Sequence, residues 1–133
     1  MISSRRIKIV VLAVLALGVA GCGSDDSLAG VWTGGFRDSL GILGGGNFTF
    51  TQQGSVLGGT WQVLYSAIGA AKYNNSGSLT GTVSGNAIAA VMSSQGPCPF
   101  TLQATRSGNT MTGSYTTTNC SPAESGTVDL EKQ

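Results

Sequence analysis

From about residue 29 to the C-terminus, apolar and polar residues alternate with a period of two, broken at short intervals by Gly, Asn and Ser. Successive side chains of a strand point to opposite faces, so this pattern commits the chain to β-structure with one apolar face. Beyond the first twenty or so residues no window carries an apolar stripe at helical spacing. Eight strands are predicted, at roughly 29–37, 46–53, 56–65, 77–83, 86–93, 98–105, 109–117 and 125–132. One apolar phase runs through them. It holds Trp32, Phe36, Phe48 and Phe50, then Leu57, Trp61, Val63, Tyr65, Leu79 and Val83. Ile88, Ala90, Met92, Phe100, Leu102 and Ala104 follow, and Met111, Tyr115, Val128 and Leu130 complete it.

The opposite phase is mostly Thr, Ser, Gln and Asn. A transmembrane barrel needs outward residues that are apolar, whereas here the large residues share the other face. Eight strands close around an interior just wide enough for side chains or one small ligand. The predicted fold is therefore an all-β, eight-stranded antiparallel up-and-down β-barrel over residues 28–133. Connections at 53–55, 84–86 and 106–109 are short and pair Gly with Asn or Ser, the chemistry of tight hairpins. Those at 38–45, 66–76, 94–97 and 118–124 are longer. Alternate connections of a meander share an end, so the tight turns make a floor and the longer loops ring a mouth. A pattern of Leu or Met, Gly and a large residue at spacings of two recurs at 28–32, 57–61, 79–83 and 111–115. Glycines in the core phase are expected to relieve crowding where strands coil.

The N-terminal segment carries a different signal. Arg5, Arg6 and Lys8 precede an uncharged run, 9–19, that ends in Val19-Ala20-Gly21-Cys22. A basic start, a short apolar run and small residues form a secretory signal, and the run is too brief to span a membrane. The cysteine directly after Val-Ala-Gly resembles the lipobox of bacterial lipoproteins. That resemblance implies removal of residues 1–21, lipid such as palmitate on Cys22, and a polar tether over 22–27 that holds the domain at a membrane. Gly23, where Asp would mark retention at the inner membrane, implies the outer one. The remaining cysteines, Cys98 and Cys120, are an even pair in an oxidising compartment. They fall at the start of the sixth strand and the end of the seventh, which one hairpin brings together, so a disulfide at the mouth is expected.

The residue inventory argues against chemistry. There is no histidine, the commonest general base, and Asp38, Glu124, Asp129 and Glu131 show no pairing spacing. Gly44-Gly45-Gly46 lacks the lysine and helix of a phosphate loop, and two thiols alone do not complete a zinc site. The reading is a non-enzyme without metal or cofactor. After residue 21 four basic residues stand against six acidic ones, none of the basic ones clustered, which is no footprint for nucleic acid. Binding remains, and barrel mouths are usual ligand sites. Trp32, Phe48, Phe50, Trp61, Tyr65 and Tyr115 are the candidate pocket for a small apolar ligand, with core filling as their alternative role. Loop 38–45, with Leu40, Ile42 and Leu43, is expected to lie over the mouth as an apolar lid or plug.

Gly30-Val31-Trp32 on the first strand resembles the Gly-x-Trp signature of the calycins (lipocalins, fatty-acid-binding proteins and avidins). Leu57-x-Gly-Thr-Trp61 looks avidin-like, and Ser27-Leu28-Ala29-Gly30-x-Trp32 resembles the start of small periplasmic metalloprotease inhibitors. The calycin resemblance implies an eight-stranded barrel with an interior ligand; the inhibitor resemblance implies a protein partner met through the tether or mouth loops. A structural surface lipoprotein without a ligand shares the same fold. Lys132 stands where lipocalins carry the terminal arginine that packs on their tryptophan.

Overall fold

The computed structural model describes residues 27–118 and 120–133, with Lys72 and Tyr73 placed by backbone alone. The expected signal segment, Cys22 and the tether up to residue 26 lie outside the described residues. The strands are β1 (Gly30–Asp38), β2 (Leu43–Gln53), β3 (Val56–Tyr65), β4 (Asn75–Ser84), β5 (Ala87–Met92), β6 (Phe100–Ser107), β7 (Thr110–Thr117) and β8 (Ser125–Lys132). Each pairs antiparallel with the next, and β8 returns to β1 to close the barrel. At that seam Trp32 stands opposite Lys132, Phe36 opposite Val128 and Asp38 opposite Gly126. Closure leaves no unpaired sheet edge.

Core and solvent faces follow the alternation. The whole expected apolar phase packs into one cluster, in which Tyr65 and Val83 are only partly buried. Leu28, just ahead of β1, joins it. Outward positions carry hydroxyls and amides, with exposed Val31, Leu43, Leu64 and Val91 interspersed. Among the described residues no helix is long and apolar enough to cross a membrane.

The recurring glycines do what crowding demands. At Gly59 the backbone has φ +144°, and a Cβ there would strike the Thr49 carbonyl oxygen on β2. Gly81 and Gly113 abut Ala90 and Ala104 on their neighbours in the same manner. The first copy of the motif differs, because Gly30 meets only the Lys132 stem.

Two-residue turns, Gly54-Ser55, Gly85-Asn86 and Gly108-Asn109, close the floor. Each begins with glycine at φ +60°, the geometry that matches strand twist in a tight hairpin. Trp32 seals the floor from within. It is fully buried, and its Nε1 donates to the Leu28 carbonyl at 2.9 Å. The Arg106 guanidinium lies 5.5 Å and the Lys132 ammonium 5.9 Å from its ring centre. Lys132 also donates to the Ser27 carbonyl at 2.9 Å. Two cations on one indole are a stabilising arrangement, and Arg106 shares a place that the sequence reading gave to Lys132 alone.

Three features depart most from the expected pattern. The lid expected at 38–45 shrinks to a turn whose Ser39 and Leu40 border the cavity, because β2 begins at Leu43. As strand, Leu43–Gly45 pair with β1 on one side, and Gly44 and Gly45 pair with β3 on the other; a lid would leave those backbone groups unpaired. Only a turn, residues 39–42, remains. Asp38 Oδ1 accepts hydrogen bonds from the Leu40 and Ile42 amides, each at 2.9 Å. Leu40 is 75% exposed and Leu43 54% exposed, so neither plugs the core. β6 starts at Phe100 rather than 98, since Pro97 and Pro99 have no N–H to offer a ladder. The β3–β4 connection contains a 3-10 turn, Ala70–Tyr73, which alternation could not reveal. Cys98 and Cys120 form the expected disulfide at the mouth, with Cα atoms 6.1 Å apart.

Candidate functional site

A cavity of about 320 Å³ opens at the mouth. Its wall is a run of aromatic rings from four strands. Trp61 on β3 meets Phe100 on β6 at 5.9 Å, Phe100 meets Tyr115 on β7 at 5.5 Å, and Tyr115 meets Phe36 on β1 at 6.1 Å between ring centres. The first two contacts are edge-to-face, the arrangement that aromatic quadrupoles favour. Val63 and Met92 complete the apolar part, and Asp38, Asn75 and Glu124 stand among the residues lining it. The volume is near the lower end of the ~300–1,000 Å³ typical of ligand pockets. It suits a compact molecule of one or two rings.

Each aromatic is fixed by its surroundings. The Trp61 Nε1 donates to the Ser93 carbonyl at 2.8 Å, so the indole is anchored by its polar edge while a face remains for the cavity. Tyr65 stands opposite Gly44 and Tyr115 opposite Gly126. A Cβ on Gly126 would strike the Tyr115 hydroxyl; glycine there makes the room that ring occupies. The two phenol oxygens are 3.3 Å apart, within hydrogen-bond reach. Burial pushes both phenols above their ordinary range, Tyr115 the further, and the Asp38 and Glu124 carboxylates add to the rise. Both therefore stay neutral at physiological pH.

The six candidate pocket residues divide by depth. Trp61, Tyr65 and Tyr115 line the cavity. Trp32, Phe48 and Phe50 do not; they fill the lower barrel, with Phe48 and Phe50 in edge-to-face contact at 5.6 Å. These three rings are fully packed below the cavity, which corrects the expectation that all six share one pocket. Phe36, Phe100 and Met92, assigned to the core by phase, belong to the cavity wall as well. Asp38 and Glu124 were not expected at the pocket, although Asp38 holds the inward phase of β1 and Glu124 directly precedes β8. Among the described residues no group of three or more His, Cys, Asp and Glu side chains is placed to hold a metal.

No family model matches the sequence, and no curated protein matches it. Solved barrels do match its fold. EF1p2_mFAP2b bound to DFHBI superposes with a TM-score of 0.68 at 16% identity, covering 80% of this chain and 94% of that one. A redesigned β-barrel, mFAP1, bound to DFHBI gives 0.65 at 22% identity, over 79% and 94%. At these identities the likeness establishes the eight-stranded antiparallel barrel.

Proposed function

We propose that this protein is a lipid-anchored envelope protein whose calycin-like barrel binds a compact, mainly apolar small molecule at its mouth. The observation that carries the proposal is the aromatic-walled cavity at the mouth, with a few polar groups at its rim. That combination gives a ligand both desolvation and orientation. The similar barrels were solved with a small molecule bound, which supports a binding role for this architecture. Binding without catalysis fits a site that offers aromatic faces, two neutral phenols and two carboxylates but no histidine. Anchoring rests on the lipobox-like Val19-Ala20-Gly21-Cys22, and Gly23 favours the outer membrane.

Native mass spectrometry tests the binding. The full chain, purified from its membrane, is expected to carry a co-purifying apolar molecule or to take up one equivalent from a mixture of small aromatics. A bare mass, unchanged by the mixture, would overturn the reading. Palmitate labelling tests the anchor: the parent incorporates label and Cys22→Ser does not.

A further inference from the structure

The mouth has a charge as well as a shape. Asp38 shares the inward phase of β1 with Trp32 and Phe36, and Glu124 precedes Gly126 and Val128 in the inward phase of β8. Barrel closure brings them to one stretch of the rim, since Asp38 pairs with Gly126, two residues from Glu124, and the Ser39 amide donates to the Ser125 carbonyl at 2.9 Å. Both residues line the cavity together with Tyr65 and Tyr115.

Their positions are held. One oxygen of Asp38 caps its turn. The Glu124 backbone is clamped to Thr117, whose amide donates to the Glu124 carbonyl at 2.8 Å and whose hydroxyl accepts from the Glu124 amide at 2.8 Å. Among the described residues that line the cavity none is basic. Arg37 points outward from β1, and Arg106 and Lys132 are at the floor on Trp32. Like charge at the rim repels an anion and attracts a cation. The aromatic wall works in the same direction, because ring faces attract ammonium groups.

We propose that the cavity is selective for a small organic cation, a compact ring body bearing one protonated amine, and rejects the carboxylate of the same shape. This rests on the binding reading above and deepens it. The ring body packs against Trp61 and Phe100, and the ammonium sits at the rim between Asp38 and Glu124. Free fatty acids and other amphiphiles that would bring a carboxylate to the mouth are disfavoured.

Calorimetric titration of the full chain at pH 7 and low salt, with 2-naphthylmethylamine, 2-naphthalenemethanol and 2-naphthoate, tests it. The three probes share a ring body and differ in charge. The amine is expected to bind tightest and the carboxylate weakest, with a spread of about tenfold or more from two carboxylates acting at close range. The spread should contract in Glu124→Gln and with rising salt in the parent, whereas Lys72→Gln, the remaining basic residue at this end, keeps the order. Comparable affinity for amine and carboxylate, or a spread indifferent to both Glu124→Gln and salt, overturns the charge selectivity while the alcohol's binding keeps the pocket. Binding of none of the three overturns both.

Discussion

The disulfide offers the most direct quantitative test of how this small barrel is held together. Cys98 and Cys120 are 22 residues apart and close a loop that contains β6, its two-residue turn and β7. In the chain-entropy account a cross-link of that span removes about 11 cal/mol/K from the unfolded ensemble, or about 3.4 kcal/mol at 25 °C. Both cysteines are only half-buried, so replacing them with alanine leaves little cavity cost to confuse the reading. A domain of this size holds on the order of 5–15 kcal/mol in all, and losing the link is therefore expected to lower the midpoint by about 15–25 °C. Guanidinium melts of the parent and of Cys98→Ala/Cys120→Ala, followed by tryptophan fluorescence, measure the difference. A loss below about 1 kcal/mol would refute the argument. It would mean that the Gly108-Asn109 hairpin already keeps these ends together in the unfolded chain. Ligand affinity should fall too, because the tethered segment supplies Pro122, Ala123 and Glu124 to the cavity.

Other consequences can be checked singly. Gly59→Ala combines a positive φ with a backbone collision at Thr49 and should cost about 1–3 kcal/mol in a chemical melt. Trp61→Phe gives up the hydrogen bond to Ser93 and leaves that carbonyl unsatisfied; a loss of about 1–2 kcal/mol is expected, with weaker ligand binding by calorimetry. The raised phenols of Tyr65 and Tyr115 predict a pH effect of definite sign. Below about pH 10 both folded and unfolded chains carry neutral tyrosines; above it the unfolded chain ionises first, so stability falls as pH rises. Urea midpoints between pH 8 and 11 should show that decline, and Tyr65→Phe/Tyr115→Phe should flatten it.

The architecture was legible because alternation reports which face of a strand each residue takes, and the tight turns carry recognisable Gly-Asn and Gly-Ser pairs. Trp32, Phe36, Phe48, Trp61 and their partners could be assigned inward without coordinates for that reason. Alternation says nothing about depth along the barrel axis. Trp32 and Tyr115 therefore look alike in sequence, although one seals the floor and the other lines the cavity. Asp38 and Glu124 read as scattered acids because 86 positions separate them, and only the β1–β8 seam makes them neighbours. The lid expected at 38–45 is shorter than its sequence suggests for a related reason. Its glycines suggested a loose loop, but Gly44 and Gly45 have ladder partners on both sides, and small residues there let the Tyr65 ring lie across the strand. The 3-10 turn at Ala70–Tyr73 is local and aperiodic, so no periodic signal could announce it.

Closing β8 onto β1 also fixes a direction. Gly30 and Lys132 both belong to the floor, at the end of the barrel remote from the cavity. Whatever grips the chain ahead of residue 27 pulls on the sealed end, and the opening then looks away from the point of attachment. Both termini of the barrel lie at that end because β1 starts there and an even number of strands brings β8 back to it. Held at a bilayer, the molecule would stand like a cup on its base, sampling the aqueous side and not the lipid beneath it.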